Sequence, residues 1–144
     1  AHVIPALMRR FHEAKESGAR QVTVWGSGTP KREFLFIDDL ADATIFAMNS
    51  YSGERHLNIG YGDDLPIAEL ARLIAEVVGF QGEIVQDTTM PDGTPRKLLD
   101  SSRMRELGWT PSVDLRTGLA RTYAWFLDNR AALREGRGQV LADG

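Results

Sequence analysis

Four groups of residues in this chain could do chemistry. Trp25-Gly-Ser-Gly-Thr-Pro-Lys-Arg-Glu-Phe34 sets an aromatic plane, a glycine turn and two bases close together. That combination suits a nucleotide: a base can stack on the ring while an arginine grips phosphate through paired hydrogen bonds. The competing reading is a hairpin with a packed tryptophan and solvated charges. Pro91-Asp-Gly-Thr-Pro-Arg-Lys97 puts two prolines, a glycine, an acid and two adjacent bases into one short run. The prolines stiffen it, Asp92-Gly93 signals a turn, and Arg96-Lys97 would be displayed on a constrained backbone. A structural turn and a ligand loop both remain open there. Arg9-Arg10 falls on the polar side of a predicted helix and reads as solvated surface. His2, at a helix start, is eligible as a general acid near neutral pH but carries little weight alone. His12 and His56 read as surface and strand positions, and no histidine–carboxylate spacing suggests a metal site.

The elements that must position these groups follow from periodicity. Ile4, Leu7, Met8 and Phe11 fall on one face of a 3.6-residue repeat, which predicts a helix from Val3 to Ser17 ended by Gly18. Gln21–Trp25 is a short β-branched strand followed by a turn over Gly26–Pro30. Arg32–Ile37 is then expected to return as the second strand of a hairpin. Asp38 or Asp39 is placed to cap a helix to about Asn49, with Leu40, Ala43, Phe46 and Ala47 inward. A strand over Arg55–Ile59 is expected next. Pro66 suits a first helical turn, and Leu70, Leu73, Ile74, Val77 and Val78 form a buried stripe closed by Gly79. Glu83–Gln86 reads as a strand, Lys97–Asp100 as extended, and Ser101 starts a short helix that stops at Gly108. Asp114 or its neighbour caps a long helix carrying Leu115, Leu119, Tyr123, Phe126 and Leu127. From about Glu135 the periodicity fades and a loose tail is expected.

The totals bound the class. With 144 residues, 42% hydrophobic and 26% charged, the chain has the composition of one globular domain. No apolar run reaches bilayer length, and no signal-peptide pattern opens the chain. A formal net charge of −3 offers no general attraction to nucleic acid or to an anionic membrane, so any anion site must be local. The absence of cysteine removes disulfides and thiol chemistry from these residues and is compatible with a reducing cytoplasm. The chain begins with alanine in amphipathic sequence, which predicts a domain of something longer. An intact mass of the natural gene product equal to that of these residues would contradict this.

Short strands and helices without regular βαβ alternation predict an α+β unit, or an appendage on an α/β domain. No phosphate-binding Gly-x-Gly-x-x-Gly is present: Gly26-Ser-Gly28 runs into Thr-Pro-Lys, where Pro30 would disturb a helix start. No tyrosine has a lysine four positions on.

Taken together, His2-Val-Ile-Pro-Ala-Leu-Met-Arg-Arg-Phe-His, Val24-Trp-Gly-Ser-Gly-Thr-Pro, Arg32-Glu-Phe-Leu-Phe-Ile-Asp-Asp-Leu-Ala and Pro91-Asp-Gly-Thr-Pro-Arg-Lys-Leu-Leu-Asp resemble the GDP-L-fucose synthase family. These are GDP-4-keto-6-deoxymannose 3,5-epimerase/4-reductases of the extended short-chain dehydrogenase/reductase superfamily. The likeness covers residues 1 to about 134 and corresponds to the C-terminal, substrate-binding portion of such enzymes. Trp-Gly-x-Gly and Arg-Glu-Phe…Asp-Asp recur in related sugar-nucleotide epimerases and dehydratases, whereas Pro-Asp-Gly-Thr-Pro-Arg-Lys narrows the match. The resemblance implies epimerisation at C3 and C5, made possible by the acidity the ketone gives those C–H bonds, then reduction at C4 by hydride from NADPH. It implies His2 as a catalytic acid/base and cofactor-binding residue that shares its work with a cysteine, and Arg10, Trp25, Arg32, Asp92 and Lys97 as residues holding the GDP-sugar. It further implies NADPH bound mainly by a Rossmann domain outside these residues, a homodimeric cytoplasmic parent without nucleic-acid or membrane partners, and no turnover by the 144 residues alone. Residues 135–144 would be a flexible tail. The alternatives are part of another sugar-nucleotide epimerase or dehydratase, or a stand-alone nucleotide-sugar binding module.

Overall fold

The inward stripe of Leu7, Met8 and Phe11 lies on α1 (Val3–Ser17), which packs against α3 (Ile67–Val78), whose own stripe of Leu70, Ile74 and Val78 is likewise buried. These and the elements below come from a computed structural model that describes residues 3–53 and 57–142, with side chains to residue 132. His2 and His56 lie outside the described residues, and with them the start of the strand expected at 55–59. Leu57–Ile59 are not in a strand.

A small parallel sheet backs the helices. Strand β1 (Gln21–Trp25) pairs with β4 (Glu83–Asp87) from Gln21↔Glu83 to Trp25↔Asp87. Two parallel strands need a crossover, and the chain between them includes α3. The principal core joins Leu7, Met8 and Phe11 to Val22, Val24, Leu70, Ile74, Val78 and Phe80. Leu119 and Tyr123 complete it from α5 (Leu115–Ala142). α5 starts as expected, with the Thr117 N–H donating to Asp114 Oδ1 at 2.7 Å. Its backbone stays helical to Ala142, past Glu135 where the pattern fades.

The expected hairpin does not form. After β1 only Lys31–Arg32 are extended as a strand, β2, and they join a second sheet. There β2 lies between β3 (Leu65–Pro66, antiparallel) and β5 (Arg96–Lys97, parallel). The cause is the turn. Gly26 and Gly28 have φ of 85° and 79°, and the turn docks on the start of α3 rather than reversing onto β1. Ile67 N–H donates to Pro30 O at 2.9 Å and Ala68 N–H to Gly28 O at 3.0 Å, so the turn's carbonyls satisfy donors that a helix start otherwise leaves open. A Cβ on Gly28 would stand 2.6 Å from that of Ala68. Pro66 therefore ends β3 and precedes the helix.

Two expectations for polar residues are corrected. His12 is buried, not on the surface: its Nδ1 is 2.8 Å from the Tyr123 hydroxyl and its Nε2 is 2.8 Å from Arg130 Nη1. It joins α1 to α5. Because a guanidinium only donates, Nε2 must accept and Nδ1 carries the proton toward Tyr123. Burial first, with the Arg130 charge, lowers its pKa.

Helix α2 (Ile37–Ser50) has Phe36 at its N-cap and no side-chain cap. Asp39 is buried instead and accepts from the Ser112 hydroxyl at 2.7 Å, from Ser112 N–H at 3.2 Å and from Val113 N–H at 2.9 Å. Burial raises its pKa, but the hydrogen bonds from Ser112 and Val113 and the charge of Arg121 outweigh it, and the net shift is downward. A depressed folded value means the stabilisation is complete above the usual carboxylate range and is lost as pH falls through the lowered value. Asp39→Ala is expected to destabilise the fold by roughly 2–4 kcal/mol in urea unfolding at neutral pH, with a smaller difference in acid. A second, smaller core of Ala43, Met104 and Trp109 lies beside this joint, with α4 (Ser102–Glu106) supplying Met104.

Candidate nucleotide-binding cleft

The turn after β1, strand β2 and the loop leading to β5 enclose a cleft of about 390 Å³. Trp25, Arg32, Asp92 and Lys97 all line it, together with Gly28, Pro30, Glu33, Phe34, Pro91 and Gly93. Two separated stretches of sequence thus place four of the expected residues around one space. Trp25 ends β1 with 68% of its surface exposed, an aromatic face with no packing role in the core. Arg10, by contrast, is not among the lining residues; its guanidinium donates to the Thr23 carbonyl of β1.

The parallel register pairs Arg32 with Lys97 and Lys31 with Arg96. Successive strand residues face opposite sides, so the adjacent bases separate. Arg96 Nε donates to Asp64 Oδ2 at 2.7 Å, outside the cleft, while Lys97 turns into it beside Arg32. Like charges directly across a ladder repel. Among the described residues neither Arg32 nor Lys97 forms an ion pair; Arg32 Nη1 reaches only the Lys31 carbonyl, at 2.7 Å. A di-anion between them would relieve the repulsion.

The two acids at the cleft are turned to backbone donors. Glu33 accepts from Leu99 N–H at 2.9 Å and Gly62 N–H at 3.1 Å, and thus ties two loops to the base of the cleft. Asp92 accepts from the Ser27 N–H at 2.8 Å and the Ser27 hydroxyl at 2.7 Å. The Ser27 hydroxyl, then its N–H, lowers the Asp92 pKa and holds it ionised. Sequence reasoning missed both supports. Glu33 sits unmarked inside Arg-Glu-Phe, and Ser27 between two glycines looks like turn filler.

Gly26–Pro30 leads into β2 rather than into a helix, so it does not offer the helix N-terminus that holds a dinucleotide's pyrophosphate. The described residues contain no group of three or more His, Cys, Asp or Glu placed to hold a metal. No described helix is long and apolar enough to cross a membrane.

Residues 1–60 match the NAD dependent epimerase/dehydratase family. In fold and sequence the chain is thus similar to sugar-nucleotide epimerases and reductases. Over most of its length the chain is similar in sequence to proteins named GDP-L-fucose synthase. It is 61% identical over 129 residues to GDP-L-fucose synthase 1 of Arabidopsis thaliana, covering 90% of this chain and 40% of that protein. It is 52% identical over 143 residues to GDP-L-fucose synthase of Escherichia coli K12, covering 93% of this chain and 44% of that one. The crystal structure of a GDP-L-fucose synthetase from Naegleria fowleri bound to NADP superposes with a TM-score of 0.84 at 29% identity, covering 91% of this chain and 41% of that chain. The chain thus spans about two-fifths of the length of the relatives it matches.

Proposed function

We propose that these residues are the substrate-binding part of an NADPH-dependent GDP-L-fucose synthase, which converts GDP-4-keto-6-deoxy-D-mannose to GDP-L-fucose by C3/C5 epimerisation and C4 reduction. The observation that carries the reading is the convergence of Trp25, Arg32, Asp92 and Lys97 on one cleft, in a chain homologous to proteins of that name. Trp25 offers a stacking face to the nucleotide, the Arg32 fork and the Lys97 ammonium take the diphosphate, and Asp92 shapes the nucleotide end. Arg10 joins them only by releasing the Thr23 carbonyl. His2, assigned from sequence alone, moves protons at the carbons next to the ketone and contacts the cofactor.

NADPH supplies hydride and is held mainly outside these 144 residues, which contain neither a cysteine to partner His2 nor a Tyr-x-x-x-Lys for reduction. These residues alone are therefore expected to bind without turning over. The parent is proposed to be a cytoplasmic homodimer.

Titration of the chain with GDP tests the reading. A saturable change in Trp25 fluorescence is expected in a Trp125→Phe background, which removes the other exposed tryptophan; UDP should compete less well. A flat titration would overturn it.

A further inference from the structure

The loop carrying Asp92 is anchored at its ends by backbone hydrogen bonds. Met90 N–H donates to Asp87 O at 3.3 Å, and Lys31 N–H donates to Pro95 O at 2.9 Å. Between those anchors, the hydrogen bonds of residues 91–94 to other described residues are the ones Asp92 accepts from Ser27. One residue grips both carboxylate oxygens: the Ser27 N–H meets Oδ1 and its hydroxyl meets Oδ2. Since a carboxylate only accepts, the Ser27 hydroxyl must donate. Its lone pairs are then left for Thr29, whose N–H lies at 3.2 Å and whose hydroxyl lies at 2.7 Å. Bonds linked in this way polarise and strengthen one another.

The approach is built into the backbone. Gly26 has φ +85°, and a Cβ there would collide with Asp92 Oδ1. On the other side of the loop a Cβ at Gly93 would stand 3.2 Å from Arg32 Nη2. The loop therefore sits between the β1 turn and the arginine, and its placement also decides the space left to Arg32.

We propose that Ser27 is the positioning residue of this cleft: it holds Asp92, and through it residues 91–94, beside Arg32 and Lys97 before a nucleoside diphosphate arrives. Asp92 then acts chiefly as the fixed end of a latch. Ordering the loop in advance removes an entropy cost that binding would otherwise carry. The ligand named here rests on the function proposed above; the latch itself does not, and its test has a ligand-free arm.

In the ligand-free chain, the heteronuclear ¹⁵N NOE of the Gly93 amide is expected to be that of rigid backbone. It should fall in Ser27→Ala and in Asp92→Ala, and recover in Ser27→Thr, which restores the hydroxyl. For GDP binding, Asp92→Ala is expected to raise Kd roughly tenfold and Ser27→Ala less, because its N–H remains. The double variant should bind no worse than Asp92→Ala, as expected of two halves of one contact. Unchanged Gly93 order in Ser27→Ala, or a double variant whose loss is the product of the single losses, overturns the latch. If the wild type fails to bind GDP while Ser27→Ala still frees Gly93, the latch stands and the nucleotide reading falls. If GDP binds and Ser27→Ala changes neither Gly93 order nor affinity, the nucleotide reading stands and the latch falls.

Discussion

Arg32→Ala is expected to weaken GDP binding roughly ten- to a hundredfold, the loss that follows when a charge-assisted, two-pronged contact to phosphate is removed. Arg32 is the one cleft residue that combines a permanent charge with a planar fork. Its Nη1 is on the Lys31 carbonyl, and its remaining N–H groups have no acid to satisfy them among the described residues. Arg32→Lys should recover part of the affinity, because the charge returns without the fork. Lys97→Ala should cost less than Arg32→Ala, since an ammonium acts as a point charge. Isothermal titration with GDP measures all three. Equal affinity in wild type and Arg32→Ala would mean that the diphosphate does not lie against β2.

Phe11→Ala is expected to have the largest effect on the fold itself, roughly 3–5 kcal/mol in urea unfolding. Phe11 has no exposed surface, and its ring stands 5.5 Å from that of Phe80 in a tilted arrangement. It also lies where α1 meets α3, so alanine would leave a void between two helices already fixed by Leu70 and Ile74. Against a total stability of about 5–15 kcal/mol, that is at least a fifth of the margin. Phe11→Leu should cost far less because it keeps most of the volume. A small loss in Phe11→Ala would mean that α1 can collapse onto α3.

Helices α1, α3 and α5 could be read from sequence because each has a single-sided apolar stripe, whereas on α2 Leu40, expected to face inward, is exposed. Ile4 to Phe11, Leu70 to Val78 and Leu119 to Tyr123 locate α1, α3 and α5 without further information, and Gly79 ends α3 in the left-handed conformation its position suggested. Strand partners could not be read. Nothing local in Val22–Trp25 distinguishes Lys31–Arg32 from Glu83–Asp87 as its neighbour, and the choice is made by the docking of Gly28 on Ala68, a contact across forty positions. His12 was misjudged for a similar reason. Its burial depends on Tyr123 and Arg130, more than a hundred residues away, which accept and supply the hydrogen bonds that make an imidazole tolerable inside. For the cleft, residue types pointed to Trp25, Arg32, Asp92 and Lys97, whereas their supports, Ser27 and Glu33, carry no composition signal and emerge only in three dimensions.

The separation of Arg96 from Lys97 has a consequence for the register of β5. Each residue of β5 owes its side to its pairing with β2, so a slip of one position along β2 would exchange the sides of the two bases. Arginine would then face the cleft, and lysine the side of Asp64. A change in the length of the loop after Pro91 leaves this arrangement intact wherever Arg32 still pairs with Lys97. The loop is therefore free to vary in length, whereas the pairing is not free to slip.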